Sequence, residues 1–252
     1  MKTDLNTDLP RFYDAGEAAI VVEFGTVVDP LINGRVLALD RKLSGLGLIG
    51  VRELVPTYRS LMVQYDPLVL PRYALCETIA DLVSSLDETE LSNPGKLWVL
   101  PCCYDPSFGE DLDEVAALTG LARDEVISSH AGAQYRVYMY GFAPAYCYLG
   151  GLAERLSIPR RQRPRPPHAA GAVLIGGGLA SITTFAMPTG WYVLGRTPVK
   201  LYDPRRSDPF LVRPGDSVKF SPISPDEFLD LDARISSGES VALAGNVAGA
   251  PQ

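Results

Sequence analysis

Tyr138-Met-Tyr-Gly-Phe-Ala-Pro-Ala-Tyr-Cys-Tyr-Leu-Gly-Gly-Leu152 is the stretch on which the fold turns. Residues 134–140 leading into it alternate large apolar and polar side chains, the period of a half-buried strand. From there the signals are strands and turns. An arginine-proline segment follows at residues 159–168, then a glycine run, Gly176-Gly-Gly178, and then Gly190-Trp-Tyr-Val-Leu-Gly-Arg-Thr-Pro198. Residues 170–175, 182–185, 191–195 and 199–202 read as short strands between Gly, Pro and Asp punctuation. Arg213-Pro-Gly-Asp216 is a turn feeding a last strand over 217–220. Many short strands at this spacing predict a barrel or sandwich.

Upstream, the pattern changes. Residues 18–24 form a strand-like run ended by Gly25. Residues 30–48 carry Leu31, Val36, Leu39 and Leu43 at helical spacing, and residues 72–86 do the same with Leu75, Ile79, Leu82 and Val83. Between them lie two short strands, 50–56 and 60–65. Strand, helix, strand, strand, helix predicts a small α+β layer pair. Residues 87–96, polar and ending in Asn93-Pro-Gly95, are the expected linker. A strand from Leu97 and helices over 110–119 and 122–131 open the second part, and a helix over 225–235 follows the last strand. The expected division is an α+β domain over 1–95, a barrel domain over 96–238 and an unstructured tail over 239–252.

Of 252 residues, 46% are hydrophobic and 21% charged, ordinary values for a globular chain. The formal net charge of -7 argues against general nucleic-acid binding, which needs a basic face. The polar, acidic start lacks an apolar signal region, and no apolar run reaches the roughly 20 residues of a membrane span. A cytoplasmic protein is expected, without nucleic-acid or membrane partners. Cys76, Cys102, Cys103 and Cys147 show no Cys-x-x-Cys spacing, and His130 and His168 are the two histidines, so no metal site is predicted.

Three features could carry chemistry. Arg155, Arg160, Arg161, Arg163 and Arg165 stand close together between prolines that stiffen their backbone. Guanidinium forks bind carboxylates and phosphates, so the segment reads either as an anion site or as a solvated loop. The glycine run either lets a ligand approach the backbone or makes a tight hairpin; it lacks the Gly-Lys-Ser/Thr ending of a phosphate loop. Tyr138, Tyr140, Phe142, Tyr146, Tyr148, Trp191 and Tyr192 either line a cleft or fill a core. Catalytic residues stay unassigned. Cys147 would need a base such as His168 to act as a nucleophile, and an inert buried thiol is the simpler reading. Asp111 and Asp113 read as dipole complements at a helix start, and His130 as a cation or packing residue at a helix end.

At residues 141–152 the chain resembles the Gly-Phe-x-Pro-Gly-Phe-x-Tyr-Leu-Gly-Gly-Leu signature of the allophanate hydrolase subunit 1 family. That family also holds the B-type subunit of 5-oxoprolinase and the sporulation-kinase inhibitor KipI. Pro159-Arg-Arg, Pro164-Arg165, Gly190-Trp, Gly195-Arg-Thr-Pro198 and Pro214-Gly-Asp216 follow in the family's order. So do Gly16-Glu-Ala-Ala, Val55-Pro-Thr-Tyr-Arg-Ser-Leu61 and Tyr65-Asp-Pro67 in the first half. The likeness covers roughly residues 11–230.

The resemblance implies a small α+β domain followed by a cyclophilin-like β-barrel. It implies one subunit of a heteromeric, ATP-dependent 5-oxoprolinase or allophanate-hydrolase-type amide hydrolase, whose cleft is shared with a subunit 2 (C) type partner. The substrate class is a small amide or carboxylate. Arg160, Arg165 and Arg196 would hold an anionic group, and Gly141, Phe142, Pro144 and Tyr148 would shape the cleft. Two other readings stand within the family: a histidine-kinase-inhibiting module of KipI type, and the carboxyltransferase half of a biotin-dependent urea-type carboxylase. This sequence departs from the family's pattern in three places. Ala145 replaces the signature's second glycine. His168-Ala-Ala-Gly-Ala-Val173 stands where the family has Val-Pro-Ala-Gly-Ser-Val, and Gly177-Gly-Leu-Ala-Ser181 where it has Gly-x-Gln-Thr-Gly.

Overall fold

The computed structural model describes residues 9–87, 95–239 and 244–245. Most of the 87–96 linker and of the 239–252 tail lies outside these residues. The chain forms two compact units that divide between Pro94 and Gly95.

The first unit is an antiparallel sheet of β1 (Arg11–Asp14), β2 (Ala19–Glu23), β3 (Val51–Pro56) and β4 (Ser60–Tyr65), in the order β1-β2-β4-β3. It packs against α1 (Pro30–Leu46) and α2 (Arg72–Ser84). Ile20, Val22, Leu61, Val63 and Tyr65 alternate along their strands and are buried with Val36, Leu39, Leu43, Leu75 and Ile79 from the helices. Period 2 meets period 3.6 on one shared face. Asp29 starts α1 by accepting from Leu31 N (2.8 Å) and Ile32 N (3.1 Å), Pro30 occupies the first turn, and Gly47 ends the helix at φ 56°.

The second unit is a closed barrel. Its seven strands run β12 (Tyr192–Arg196), β9 (Ala172–Gly176), β10 (Leu179–Ile182), β7 (Cys147–Gly150), β6 (Tyr135–Tyr140), β13 (Ser217–Ile223) and β5 (Leu97–Cys103). Closure comes from Arg196 of β12 facing Cys103 of β5. All neighbours are antiparallel except β13 and β5, which run parallel over seven registered pairs. A side chain at Gly195 would sit 2.6 Å from the Cys103 carbonyl, so the closing strands meet only because nothing projects there. Leu100, Val137, Leu149, Val173, Ile175, Leu194, Val218 and Phe220 fill the interior. β14 (Ala244–Gly245) adds a short edge to β5.

Helices α3 (Leu112–Thr119), α4 (Arg123–Gly132) and α5 (Pro225–Ser236) accompany the barrel, with a 3-10 turn at Glu154–Leu156. Ser224 and Glu227 cap α5 reciprocally. Asp216 secures the barrel's base. Its Oδ1 accepts from Lys96 N (2.8 Å), and its Oδ2 from Trp98 Nε1 (2.8 Å) and Arg213 N (2.9 Å).

The α+β class and the barrel agree with the sequence reading. Three local readings change. Residues 183–185 form no strand; the strand there is β10, which ends at Ile182. Residues 199–202 form no strand; Tyr202 makes a single bridge to Phe210. The arginine-proline segment instead contributes β8 (Arg165–His168), paired with β11 (Met187–Thr189) as a separate two-stranded ribbon. Prolines at 166, 167 and 188 cannot donate to a ladder, which confines these strands to a short pair outside the barrel.

Candidate functional site

The hairpin turn between β6 and β7 carries the signature. Gly141 N donates to Tyr146 O (2.7 Å) and Tyr146 N to Ala143 O (3.0 Å), folding residues 141–146 into a tight loop. A side chain at Gly141 would sit 2.8 Å from the Tyr148 ring and 2.9 Å from the Tyr146 ring. Ala145 takes φ 54°, the left-handed region that a glycine would occupy without strain. Phe142 at the tip is 79% exposed. Pro144 is exposed beside it.

From this tip, aromatic rings follow one another, each close to the next. Phe142 lies 5.2 Å from Tyr146, Tyr146 lies 5.5 Å from Tyr148, and Tyr148 lies 6.0 Å from Trp191. Arg160 closes the series, its guanidinium 5.1 Å from the centre of the Trp191 ring. The β9–β10 hairpin turns on Gly177 (φ 61°) and Gly178 (φ 77°). Both central residues are left-handed, the tight two-residue turn that its glycines permit. Gly176 leaves room for the Trp191 indole, and a side chain at Gly177 would reach 3.4 Å from Arg160 Nε. The glycine run is therefore a hairpin and also a close neighbour of Arg160. Burial holds the Tyr146 hydroxyl above the usual phenol range, with the nearby Arg160 charge pulling the other way. Tyr146 stays a neutral phenol.

The other arginines have different partners. Arg165 reaches Asp111 (2.7 Å) and Glu114 (3.0 Å). Arg161 reaches Asp111 (2.7 Å) and Glu114 (2.5 Å) and lies 4.2 Å over the Tyr192 ring. Arg196 donates from Nε to Ala170 O (2.9 Å) and lies over Phe228. Among the described residues, Arg160 makes no ion pair; the indole is its partner. An exposed guanidinium held over a ring keeps its donors available to a planar carboxylate.

Arg160, Tyr148 and Trp191 fall in one stretch of the sequence, whereas Asp111, Glu114 and Glu110, the counter-charges of Arg161 and Arg165, stand far upstream of it. Asp111 makes no side-chain cap for α3; it is wholly buried, accepts from Arg161 and Val193 N (2.8 Å), and is ion-paired with Arg165. Charges some 50 positions apart give no local signal. Glu114's carboxyl is held below its ordinary range, first by the hydrogen bond from Arg161.

The remaining candidates resolve as follows. His168 pairs with Glu110 (2.5 Å). Cys147 is buried, donates to Ala145 O (3.2 Å), and burial pushes its thiol far up, so it remains an un-ionised thiol. His130 is fully buried, and burial lowers it to about 3, so it is a neutral packing residue rather than a helix-end cation. Among the described residues, no group of three or more His, Cys, Asp or Glu is placed to hold a metal, and no helix is long and apolar enough to cross a membrane.

Comparison with known proteins bears on this site. The carboxyltransferase domain family, subdomains C and D, matches residues 10–212. The chain is 33% identical over 223 residues to the B-type subunit of 5-oxoprolinase from Bacillus subtilis, covering 84% of this chain and 92% of that one. It is 36% identical over 213 residues to the corresponding 5-oxoprolinase subunit of Escherichia coli O157:H7, covering 84% and 95%. The solved structure of TTHA0988 superposes with a TM-score of 0.73 at 36% identity, covering 82% of this chain. This chain spans 40% of that longer polypeptide.

Proposed function

We propose that this chain, which belongs to the carboxyltransferase domain family of subdomains C and D, is the B-type subunit of a 5-oxoprolinase. That enzyme is a hydrolase that opens a lactam C–N bond. The relatives' shared name supports the reading, together with one structural feature: a guanidinium with no counter-charge among the described residues, held over Trp191 at the end of a row of rings. 5-Oxoproline has the matching chemistry. Its carboxylate is a planar anion for the Arg160 fork, and its flat lactam ring fits against Trp191 and Tyr148.

Hydrolysis places the hydroxyl of water on the lactam carbonyl carbon and a proton on the nitrogen, releasing the amine of glutamate. ATP drives this step in the complex. Gly176–Gly178 is a hairpin without a phosphate-loop lysine, so the nucleotide is assigned to the complex rather than to residues of this chain. This chain's part is to bind and orient. Arg160 fixes the carboxylate, Trp191 and Tyr148 hold the ring, and the signature loop with exposed Phe142 and Pro144 faces a C-type partner that completes the cleft. Arg165 and Arg196 support the wall through their internal bonds rather than contacting the substrate. The family's description as a carboxyltransferase domain favours one second reading, carboxyl transfer in a biotin-dependent carboxylase.

The test is co-expression with a C-type subunit and measurement of 5-oxoproline-dependent ATP hydrolysis. Turnover is expected in the pair, with KM for 5-oxoproline raised at least tenfold, about 1.4 kcal/mol of binding, by Arg160→Ala. A stable pair that instead moves the carboxyl group from carboxybiotin to an amide acceptor, leaving free biotin and consuming no ATP, would select the second reading. Failure to form any pair would overturn both.

A further inference from the structure

Arg160 and Trp191 face one another from two separate segments, and something must fix their spacing. Arg160 belongs to the arginine-proline segment, and Trp191 immediately precedes β12. Both segments are fastened to the same carboxylate. Asp111 Oδ1 accepts from Arg161 Nη2 at 2.7 Å, one residue from Arg160. Asp111 Oδ2 accepts from Val193 N at 2.8 Å, two residues from Trp191, and Asp111 N donates back to Val193 O at 3.0 Å. The two segments also touch directly, since Arg161 N donates to Gly190 O at 2.7 Å. Glu114 holds the Arg161 fork from its other side, through Nη1 (3.1 Å) and Nη2 (2.5 Å).

Asp111 is wholly buried and the Arg161 side chain is 12% exposed. A buried carboxylate with every bond charge-assisted or to backbone is geometrically stiff and costly to disturb. Arg161 has no room to bind substrate, because its fork is filled and its face lies on Tyr192.

We infer that Asp111, acting through Arg161 and the Val193 backbone, is the positioning residue that sets the Arg160–Trp191 stack and thereby the affinity of this site for a carboxylate substrate. The inference rests on the site assigned above to Arg160. Asp111 does not touch substrate. Its oxygens face only donors, so an asparagine amide at this position presents its own N–H groups to a guanidinium or to Val193 N, and one fastening is lost. Releasing either segment lets the guanidinium leave the ring, which weakens binding of the anion without altering the bond-breaking step.

The experiment compares Asp111→Asn, Glu114→Gln and Arg160→Ala in the co-expressed pair, with 5-oxoproline as the probe. Asp111→Asn is expected to raise KM about tenfold while kcat changes less than about twofold. Glu114→Gln, which loosens Arg161 but leaves Val193 tied, is expected to raise KM about threefold, and it carries the test if Asp111→Asn does not fold. A merely structural role would lower the yield of folded pair and leave KM untouched. If Arg160→Ala raises KM while the other two leave it unchanged, the positioning role is wrong and the site stands. If Arg160→Ala itself leaves KM unchanged, the site is wrong and the positioning role falls with it.

Discussion

Ala145 shows what a single departure costs. It sits at φ 54° in the turn that carries the signature, where the left-handed backbone brings Cβ against the following carbonyl, at about 1–2 kcal/mol for a non-glycine residue. Its methyl is wholly buried in the barrel core, worth roughly 0.8 kcal/mol of transfer. Strain exceeds burial, so Ala145→Gly should stabilise the protein by up to about 1 kcal/mol in urea unfolding; a loss of more than about 1 kcal/mol would contradict the balance. The family signature marks this departure but gives no sign of its strain, because φ is set by the Gly141–Tyr146 and Ala143–Tyr146 bonds that close the loop. The same limit applies to the arginines. Proline spacing marks residues 159–168 as stiff and exposed, yet whether each guanidinium is free or paired depends on α3, far away in sequence. Arg160 and Arg161 are neighbours in the chain with opposite commitments.

At the scale of elements, α4 and β13 meet through His130. Its ring lies 4.8 Å from Phe220 and 5.3 Å from Tyr135, and its Nδ1 shares a hydrogen bond with the Tyr104 hydroxyl at 2.7 Å. Its Nε2 is buried and has no partner among the described residues. Helix periodicity correctly puts His130 in the last turn of α4, where a cation would suit the dipole. Burial overrules the dipole. The ring titrates from an ordinary 6.5 down to about 3, so it is neutral in the folded barrel. Between these values the unfolded chain binds a proton that the folded one does not, so stability falls as pH drops through the window. The loss from this group begins below pH 6.5 and is complete near pH 3, at no more than about 1.4 kcal/mol per pH unit. Urea midpoints measured between about pH 7 and pH 4 should therefore fall faster for the native protein than for His130→Phe. Parallel pH curves would show that His130 does not stay neutral on folding. The arginine-proline ribbon illustrates the complementary case. Proline argues against strand, so β8 and β11 leave no strand signal, and a two-stranded ribbon with few ladder bonds is where proline does least harm.

The whole molecule divides into two units whose cores share no residue. One is built on Val22, Leu61 and Ile79, the other on Leu149, Ile175 and Leu194. That each half would carry its own core is readable, because alternating and helical periods switch on either side of the polar 87–96 stretch. Which strand closes the barrel is not, since closure rests on the room that Gly195 leaves for the Cys103 carbonyl. Separate cores should unfold with separate responses. Ile79→Ala and Leu149→Ala each empty a fully buried position and should cost about 2–5 kcal/mol locally. Hydrogen exchange read segment by segment should show Ile79→Ala lowering protection of β2, β4 and the helices beside them while leaving β7, β9 and β10 as they were, with the reverse for Leu149→Ala. If either substitution lowers protection across both units by the same amount, the two cores fold as one cooperative body. The Arg160–Trp191 site would then draw its rigidity from the whole chain rather than from the barrel that carries it.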